Sequence, residues 1–151
     1  MVTLGAAVQV IHLVSTLFMT GVIWFVQVVH YPLKAMVGDA AFRVYQGEHL
    51  RRTTWVVAPP MVLEALSAAA LVGLAGEPSM RNMAIFGLLL LVVIWTSTAA
   101  LQVPNHALLE RHGFQTRPHR TLVMSNWIRT VAWSLRAVVA CWMVVVSPTL
   151  V

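Results

Sequence analysis

Charged residues are scarce in this chain of 151 residues, since Asp, Glu, Lys and Arg together make up 10% of it and 59% is hydrophobic. Soluble domains of average composition carry about 25% charged residues. The chain has too few charges to cover a water-facing surface, which excludes a soluble enzyme and a disordered chain. We therefore expect one integral membrane domain over residues 1–151, embedded in the lipid bilayer of a bacterial inner membrane.

Cysteine and acidic residues are also rare. The single cysteine, Cys141, cannot form an intramolecular disulfide, which excludes a disulfide-stapled secreted scaffold. Five acidic residues against ten Lys and Arg give a net charge of +5. These basic residues are few and lie where a membrane protein needs them, so we exclude nucleic acid as a partner. No Gly-x-Ser-x-Gly motif or phosphate-binding loop is present, and we do not expect nucleophilic catalysis.

Long apolar runs dominate the rest of the sequence. A membrane-spanning helix needs about 20 mostly apolar residues, and four stretches satisfy this requirement. We predict an all-α bundle of four transmembrane helices at about residues 4–30, 39–74, 79–109 and 119–146. Pro32 is expected to end the first helix, and Pro59 and Pro60 are expected to kink or split the second.

Basic residues are distributed asymmetrically between the connections. Eight of the ten flank the first and third connections. By the positive-inside rule these connections face the cytoplasm, which predicts that both termini are extracytoplasmic. The eight residues are Lys34, Arg43, Arg51, Arg52, Arg111, Arg117, Arg120 and Arg129.

Polar residues recur inside the apolar helices at helical spacing. Counted at about 100° per residue, the polar residues of each helix fall on one narrow stripe. Ionisable side chains in a membrane usually face the bundle interior, so the stripes predict a polar interior. The main stripe residues are His12 and His30, then His49 and Glu64, then Trp95, Gln102 and His106, then Asn126, Arg129, Trp133 and Arg136.

Depth along the helices divides this interior into two layers. His30, His49 and His106 lie near the cytoplasmic ends of three helices. At about 1.5 Å per residue, His12, Glu64 and Arg136 lie roughly 22 to 27 Å from that layer along their helices. Because Glu64 and Arg136 are the only opposite charges deep in the bundle, we predict a buried ion pair between them.

The histidine layer has two interpretations. Imidazole binds Fe, Cu and Zn, and histidines on separate helices of a bundle can converge on one ion or on haem iron. We predict a transition-metal or haem site formed by His30, His49 and His106, with Glu48 as a carboxylate ligand. The alternative is that these histidines lie at the headgroup level, hydrogen-bonded to water, lipid phosphate or backbone.

Four short segments carry a further signal. They are residues 21–24 (GVIW), 27–32 (QVVHYP), 102–106 (QVPNH) and 126–130 (NWIRT), followed by Trp133 and Arg136. Together they resemble the anthrone-oxygenase-like family of small four-helix membrane proteins. The resemblance implies an O2-dependent oxidation of a flat, apolar phenolic or polycyclic substrate. It also implies a site lined by Gln102, Asn105, His106, Asn126 and Arg129.

These observations predict a membrane oxidoreductase or oxygenase-like protein that acts on a flat apolar small molecule near the cytoplasmic face. His30, His49 and His106 are expected to hold the metal or haem, or to act as acid and base on the substrate. Asn126 and Arg129 are expected to orient the substrate and stabilise developing negative charge. The residues expected to line the substrate site are Gln102, Asn105, Trp95 and Trp133.

Two alternatives and the oligomeric state stay open. One alternative is a small proton-coupled transporter that uses His12, Glu64 and Arg136. The other is a membrane scaffold subunit, in which the polar stripes only hold the helices together. A homo-oligomer is compatible with all three hypotheses.

Overall fold

Four long helices make up nearly all of the computed structural model, which describes residues 3–146. They are α1 (Leu4–Met36), α2 (Asp39–Leu74), α3 (Pro78–His112) and α4 (Thr116–Val145), and all four are long and apolar enough to cross a membrane. The all-α architecture and the four predicted helices are confirmed.

The helix ends follow from local chemistry. The hydroxyl of Thr3 accepts a hydrogen bond from the backbone N–H of Ala6 (3.2 Å) and caps α1. Gly38 occupies the N-cap position of α2, and Asp39 lies in the first turn. A carboxylate there is stabilised by the positive end of the helix dipole. Gly113 follows α3 with φ of 79°, a conformation that favours glycine.

Helix α1 runs past the residue where the sequence predicted its end. The prediction that Pro32 stops the helix is wrong, because helical structure continues to Met36. Residues Val26–His30 form a π-helical turn, and the N–H of Tyr31 bonds to the carbonyl of Val26. The hydrogen-bond register therefore changes just before the proline, which has no N–H to donate.

Helix α3 contains the same arrangement. Its π-helical turn, Thr98–Gln102, ends where the N–H of Val103 bonds to the carbonyl of Thr98, and Pro104 follows. Single π-helical turns inside longer helices are frequent at functional sites. Both π turns lie in the half of the bundle that contains the histidine layer.

Helix α2 is continuous from Asp39 to Leu74 although it contains Pro59 and Pro60. Of the two predicted alternatives, the split helix is therefore wrong, and the kink stays a prediction. Proline is tolerated inside membrane-type helices, because neighbouring groups and local adjustments satisfy the carbonyls that lose their partners.

The bundle has a polar interior and an apolar exterior. Thr16, Gln46 and Asn126 are fully buried, whereas Leu66 is 65% exposed and Val138 is 68% exposed. Soluble proteins rarely expose large contiguous apolar surfaces, and this exterior belongs to four helices long and apolar enough to cross a membrane. The polar stripes predicted from the sequence thus face the inside of the bundle, with the exception of Trp95.

Candidate functional site

The deeper polar layer is organised around one carboxylate. Glu64 and Arg136 are both fully buried and their charged groups lie 2.9 Å apart, which is the ion pair predicted from the sequence. The Glu64 carboxylate also accepts hydrogen bonds from Thr16 (2.9 Å) and from the indole of Trp133 (3.1 Å). Arg136 donates in addition to the carbonyl of Gly87. This layer therefore cross-links all four helices.

The second layer brings the predicted histidines together. Nε2 of His30 lies 3.0 Å from Nδ1 of His49, and the rings of His49 and His106 have centroids 5.5 Å apart. Yet within residues 3–146 no group of three or more His, Cys, Asp or Glu side chains is placed to hold a metal ion. The arrangement therefore gives no support to the predicted metal or haem site.

Glu48 does not join the histidine layer. Its carboxylate pairs with Arg51 (2.7 Å) and Arg52 (2.9 Å) on an exposed face of α2. Adjacent helical residues point about 100° apart, and partners at i+3 and i+4 lie on the same outer face. The assignment of Glu48 as a metal ligand is wrong for this reason.

A cavity of about 350 Å³ lies beside the histidine layer and receives side chains from all four helices. Most of its wall is apolar, and a few polar groups converge on it, which is the usual composition of a small-molecule site. Trp133 lines the cavity and also contacts Glu64, so its indole separates the cavity from the deeper layer. The main polar lining residues are Tyr31, His49, Thr98, Gln102, His106 and Arg129.

Arg129 is buried at the cavity wall and is 8% exposed. Its guanidinium donates to Asn126 Oδ1 and, at 3.3 Å, to the phenol oxygen of Tyr31. Asn126 is itself held by Gln27, whose side-chain oxygen accepts a 2.8 Å hydrogen bond. In the part of the chain that the structure describes, the ion pairs use Glu48 and Glu64, so Arg129 has no carboxylate partner.

A chain of hydrogen bonds fixes the protonation of His106. The buried ammonium of Lys34 donates to Oε1 of Gln46 (2.9 Å), and Lys can only donate. The amide of Gln46 must therefore turn Nε2 towards His106 and donate to Nδ1 (2.9 Å). Because Nδ1 accepts, the ring is neutral with its hydrogen on Nε2, which donates to the phenol oxygen of Tyr31 (2.9 Å).

Tyr31 is thus the centre of the site. Its oxygen receives N–H donors from both His106 and Arg129, and its own hydroxyl hydrogen is directed to Oε1 of Gln102 at 3.4 Å. The sequence reasoning missed Tyr31, Lys34 and Gln46 as functional residues. The sequence contains a signal for two of them: Tyr31 and Lys34 lie three residues apart, so their side chains share one face of α1.

The other predicted substrate residues fall in different places. Gln102 and Trp133 line the cavity, whereas Asn126 lies behind Arg129 and only positions it. Asn105 donates to the carbonyl of Leu101 within its own helix and is not part of the cavity wall.

The assignment of Trp95 to the cavity is wrong, since its side chain is 43% exposed on the outside of α3. Seven residues separate it from Gln102, which would place both on one face of a regular helix. The π-helical turn Thr98–Gln102 lies between them and rotates the preceding face. Ile94 and Leu91 are buried there instead.

Comparison of the chain with known protein families, with curated proteins and with solved structures finds no match. The resemblance to the anthrone-oxygenase-like family therefore stays a prediction.

Proposed function

We propose that the protein is an integral membrane oxidoreductase that binds a flat apolar molecule in the cavity and stabilises its enolate or phenolate form. The cavity volume of about 350 Å³ lies within the range of roughly 300–1,000 Å³ usual for small-molecule sites. The apolar wall suits a polycyclic ring system, and the polar groups are concentrated at one end.

Arg129 carries this proposal. A buried cation without a paired anion is costly, and the described chain supplies no carboxylate to it. A ligand oxygen that becomes negatively charged in the cavity would provide the missing partner. The Tyr31 hydroxyl lies beside the same guanidinium and is the second donor available to such an oxyanion.

His49 is the proposed base. Its Nδ1 lies 3.0 Å from both His30 Nε2 and Thr53 Oγ1, which leaves Nε2 as the free ring nitrogen of a side chain that lines the cavity. When Nδ1 carries the hydrogen, Nε2 has a lone pair that can accept a proton from the ligand. His106 is already neutral and donates to Tyr31, so we assign it a positioning role rather than that of the base.

The proposed reaction oxidises an activated CH2 group with dioxygen. His49 removes one proton from the carbon next to the ring system, and the resulting enolate is stabilised by Arg129 and Tyr31. That carbon gives two electrons to O2, which takes up the proton and forms a carbon-bound hydroperoxide. Loss of water then leaves a ketone, so that CH2 and O2 become C=O and H2O. No metal step is invoked, because both ring nitrogens of His106 are engaged by side chains.

Anthrone is a suitable test substrate, because it is flat, apolar and readily enolised. Purified protein in detergent should consume O2 and form anthraquinone faster than detergent alone. Arg129→Gln should lower this rate about a hundredfold, as expected for loss of a charge-stabilising donor. Arg117→Gln, at an exposed position near the start of α4, is the matched control. Equal rates for the wild type, for Arg129→Gln and for empty micelles would overturn the proposal.

The same proposal includes the orientation of the bundle. The site lies at the end where eight of the ten basic residues flank the connections, and the positive-inside rule assigns that end to the cytoplasm. Both termini would then be extracytoplasmic. Alkaline phosphatase fused to the C-terminus should be active in cells, and an inactive fusion with a normal expression level would reverse the orientation.

A further inference from the structure

The exposed lining residues of the cavity all lie on α2 and α3. Its lining residues on α1 and α4 include Met19, Ile23 and Trp133, which are at most 3% exposed. On α2 and α3 the lining includes Thr54 and Val103, which are both exposed. Side chains that line a cavity and are also exposed mark its mouth. The mouth therefore lies between α2 and α3.

The mouth extends along the helices into the apolar part of the bundle. On α2 the lining runs from His49 to Met61, about 18 Å at 1.5 Å per residue. Arg52 and the 76% exposed Trp55 mark the level of the membrane interface on this helix. The part of the opening that runs from Trp55 to Met61 therefore lies on the hydrocarbon side of that level.

The water-facing end of the mouth is narrower. The carboxylate of Glu110 on α3 reaches across to α2, where a Cβ added at Gly47 would lie 3.6 Å from Oε1. Glu110 also lines the cavity, so a ligand that arrives from the aqueous end must pass a negative charge. An apolar, neutral molecule that arrives between Val57 and Val103 meets no such barrier.

We propose that the ligand enters the cavity sideways, from the hydrocarbon layer of the membrane, through the gap between α2 and α3. The site then takes neutral apolar molecules that are already dissolved in the bilayer and ionises them only after they reach Arg129. This inference rests on the membrane insertion included in the proposed function, but it is independent of the oxidation chemistry.

An apolar photoprobe tests the route directly. The protein in phospholipid vesicles is irradiated with 3-(trifluoromethyl)-3-phenyldiazirine, which dissolves in the bilayer, and labelled residues are located by mass spectrometry. We expect labelling of the outward residues Leu89 and Val138 and also of the cavity residues Met19 and Trp133. The buried residues that do not line the cavity, Leu122 and Met143, should stay unlabelled.

A bulky residue in the mouth supplies the matched comparison. Thr54→Trp should lower labelling of Met19 and Trp133 severalfold without lowering that of Val138. Thr96→Trp, on an exposed face of α3 away from the cavity, should change neither.

Three results would overturn the inference. The first is labelled outward residues with an unlabelled Met19 and Trp133, which would leave membrane insertion intact. The second is equal labelling of Trp133 by a charged, water-soluble diazirine, which would place the route in the aqueous phase. The third is a protein in which neither the outward residues nor the cavity residues are labelled, which would overturn membrane insertion and with it the lateral route. If the protein oxidised anthrone although its cavity stayed unlabelled, the lateral route would be wrong and the proposed activity would stand.

Discussion

The phenol oxygen of Tyr31 lies 3.3 Å from Nη2 of Arg129 and accepts a hydrogen bond from it, across 98 residues of sequence. Nε2 of His106 donates to the same oxygen. Because that oxygen already receives two N–H donors, its own hydroxyl hydrogen is left to turn towards Gln102 or a ligand. This geometry makes Tyr31 the residue through which changes in the polar network reach the cavity.

Removing the Tyr31 hydroxyl should affect both stability and activity. Tyr31→Phe leaves the donors on His106 and Arg129 without their common acceptor, which costs about 1–3 kcal/mol of unfolding free energy for a buried unsatisfied group. We also expect anthrone oxidation to fall at least about tenfold, because one oxyanion donor is lost. Thermal unfolding and O2 uptake measure the two effects.

Tyr45→Phe is the matched control, since Tyr45 is the other tyrosine of the chain and does not line the cavity. It should leave both the melting temperature and the rate close to those of the wild type. If Tyr31→Phe kept full activity, the phenol would have no part in the reaction.

The tautomer of His106 is open to direct measurement. Nitrogen-15 NMR should show Nδ1 of His106 unprotonated and Nε2 protonated, because Gln46 donates to Nδ1. Gln46→Glu replaces that donor by a carboxylate oxygen, which can only accept, while the other oxygen keeps the bond to Lys34. We therefore expect the substitution to place a hydrogen on Nδ1. The exposed His112 should show the same spectrum in both proteins. An unprotonated Nδ1 in Gln46→Glu would contradict the hydrogen-bond assignment.

Composition and periodicity predicted the architecture well, because both depend on single helices. The four apolar runs gave the four helices, and the regular spacing of polar residues placed Glu64 against Arg136 and His30 near His49. Such patterns report which face a residue occupies and how far along the helix it lies. Those two quantities are enough to place residues in a common layer.

The details of the site depend on features that the pattern does not contain. The π-helical turn Thr98–Gln102 rotates Trp95 out of the interior. Counting about 100° per residue assumes a regular α-helix and cannot include the extra residue of a π turn. The turn Val26–His30 carries α1 past Pro32 and so brings Lys34 into the bundle. Only the packed structure shows that the Lys34 ammonium meets Gln46.

The two tryptophans predicted to face inward should respond differently to substitution. Trp133→Phe removes the indole donor to Glu64 and part of the cavity wall, so we expect a loss of about 1–3 kcal/mol in unfolding free energy and weaker anthrone binding. Trp95→Phe changes an exposed side chain and should stay within about 0.5 kcal/mol of the wild type. Chemical unfolding and a binding titration test both expectations. Equal effects of the two substitutions would contradict the orientation of α3.

Glu64→Gln distinguishes a structural ion pair from a proton carrier. The amide keeps the shape of Glu64 but leaves the buried guanidinium of Arg136 without its counter-charge, which costs about 3–5 kcal/mol for a broken buried pair. Replacing the guanidinium as well, in Glu64→Gln with Arg136→Met, should recover part of that loss, because no buried charge remains. The three existing donors to the carboxylate favour this structural role over proton transfer.

The transporter alternative makes the opposite prediction for Glu64. A proton-coupled carrier would show pH-dependent flux in liposomes that Glu64→Gln abolishes, and the double variant would not regain it. We expect no such flux from the wild type. In a double-mutant cycle, the loss of unfolding free energy in the double variant should be smaller than the sum of the losses in the two single variants, because Glu64 and Arg136 stabilise each other. Flux that depends on Glu64, together with unchanged stability, would assign this layer to transport instead.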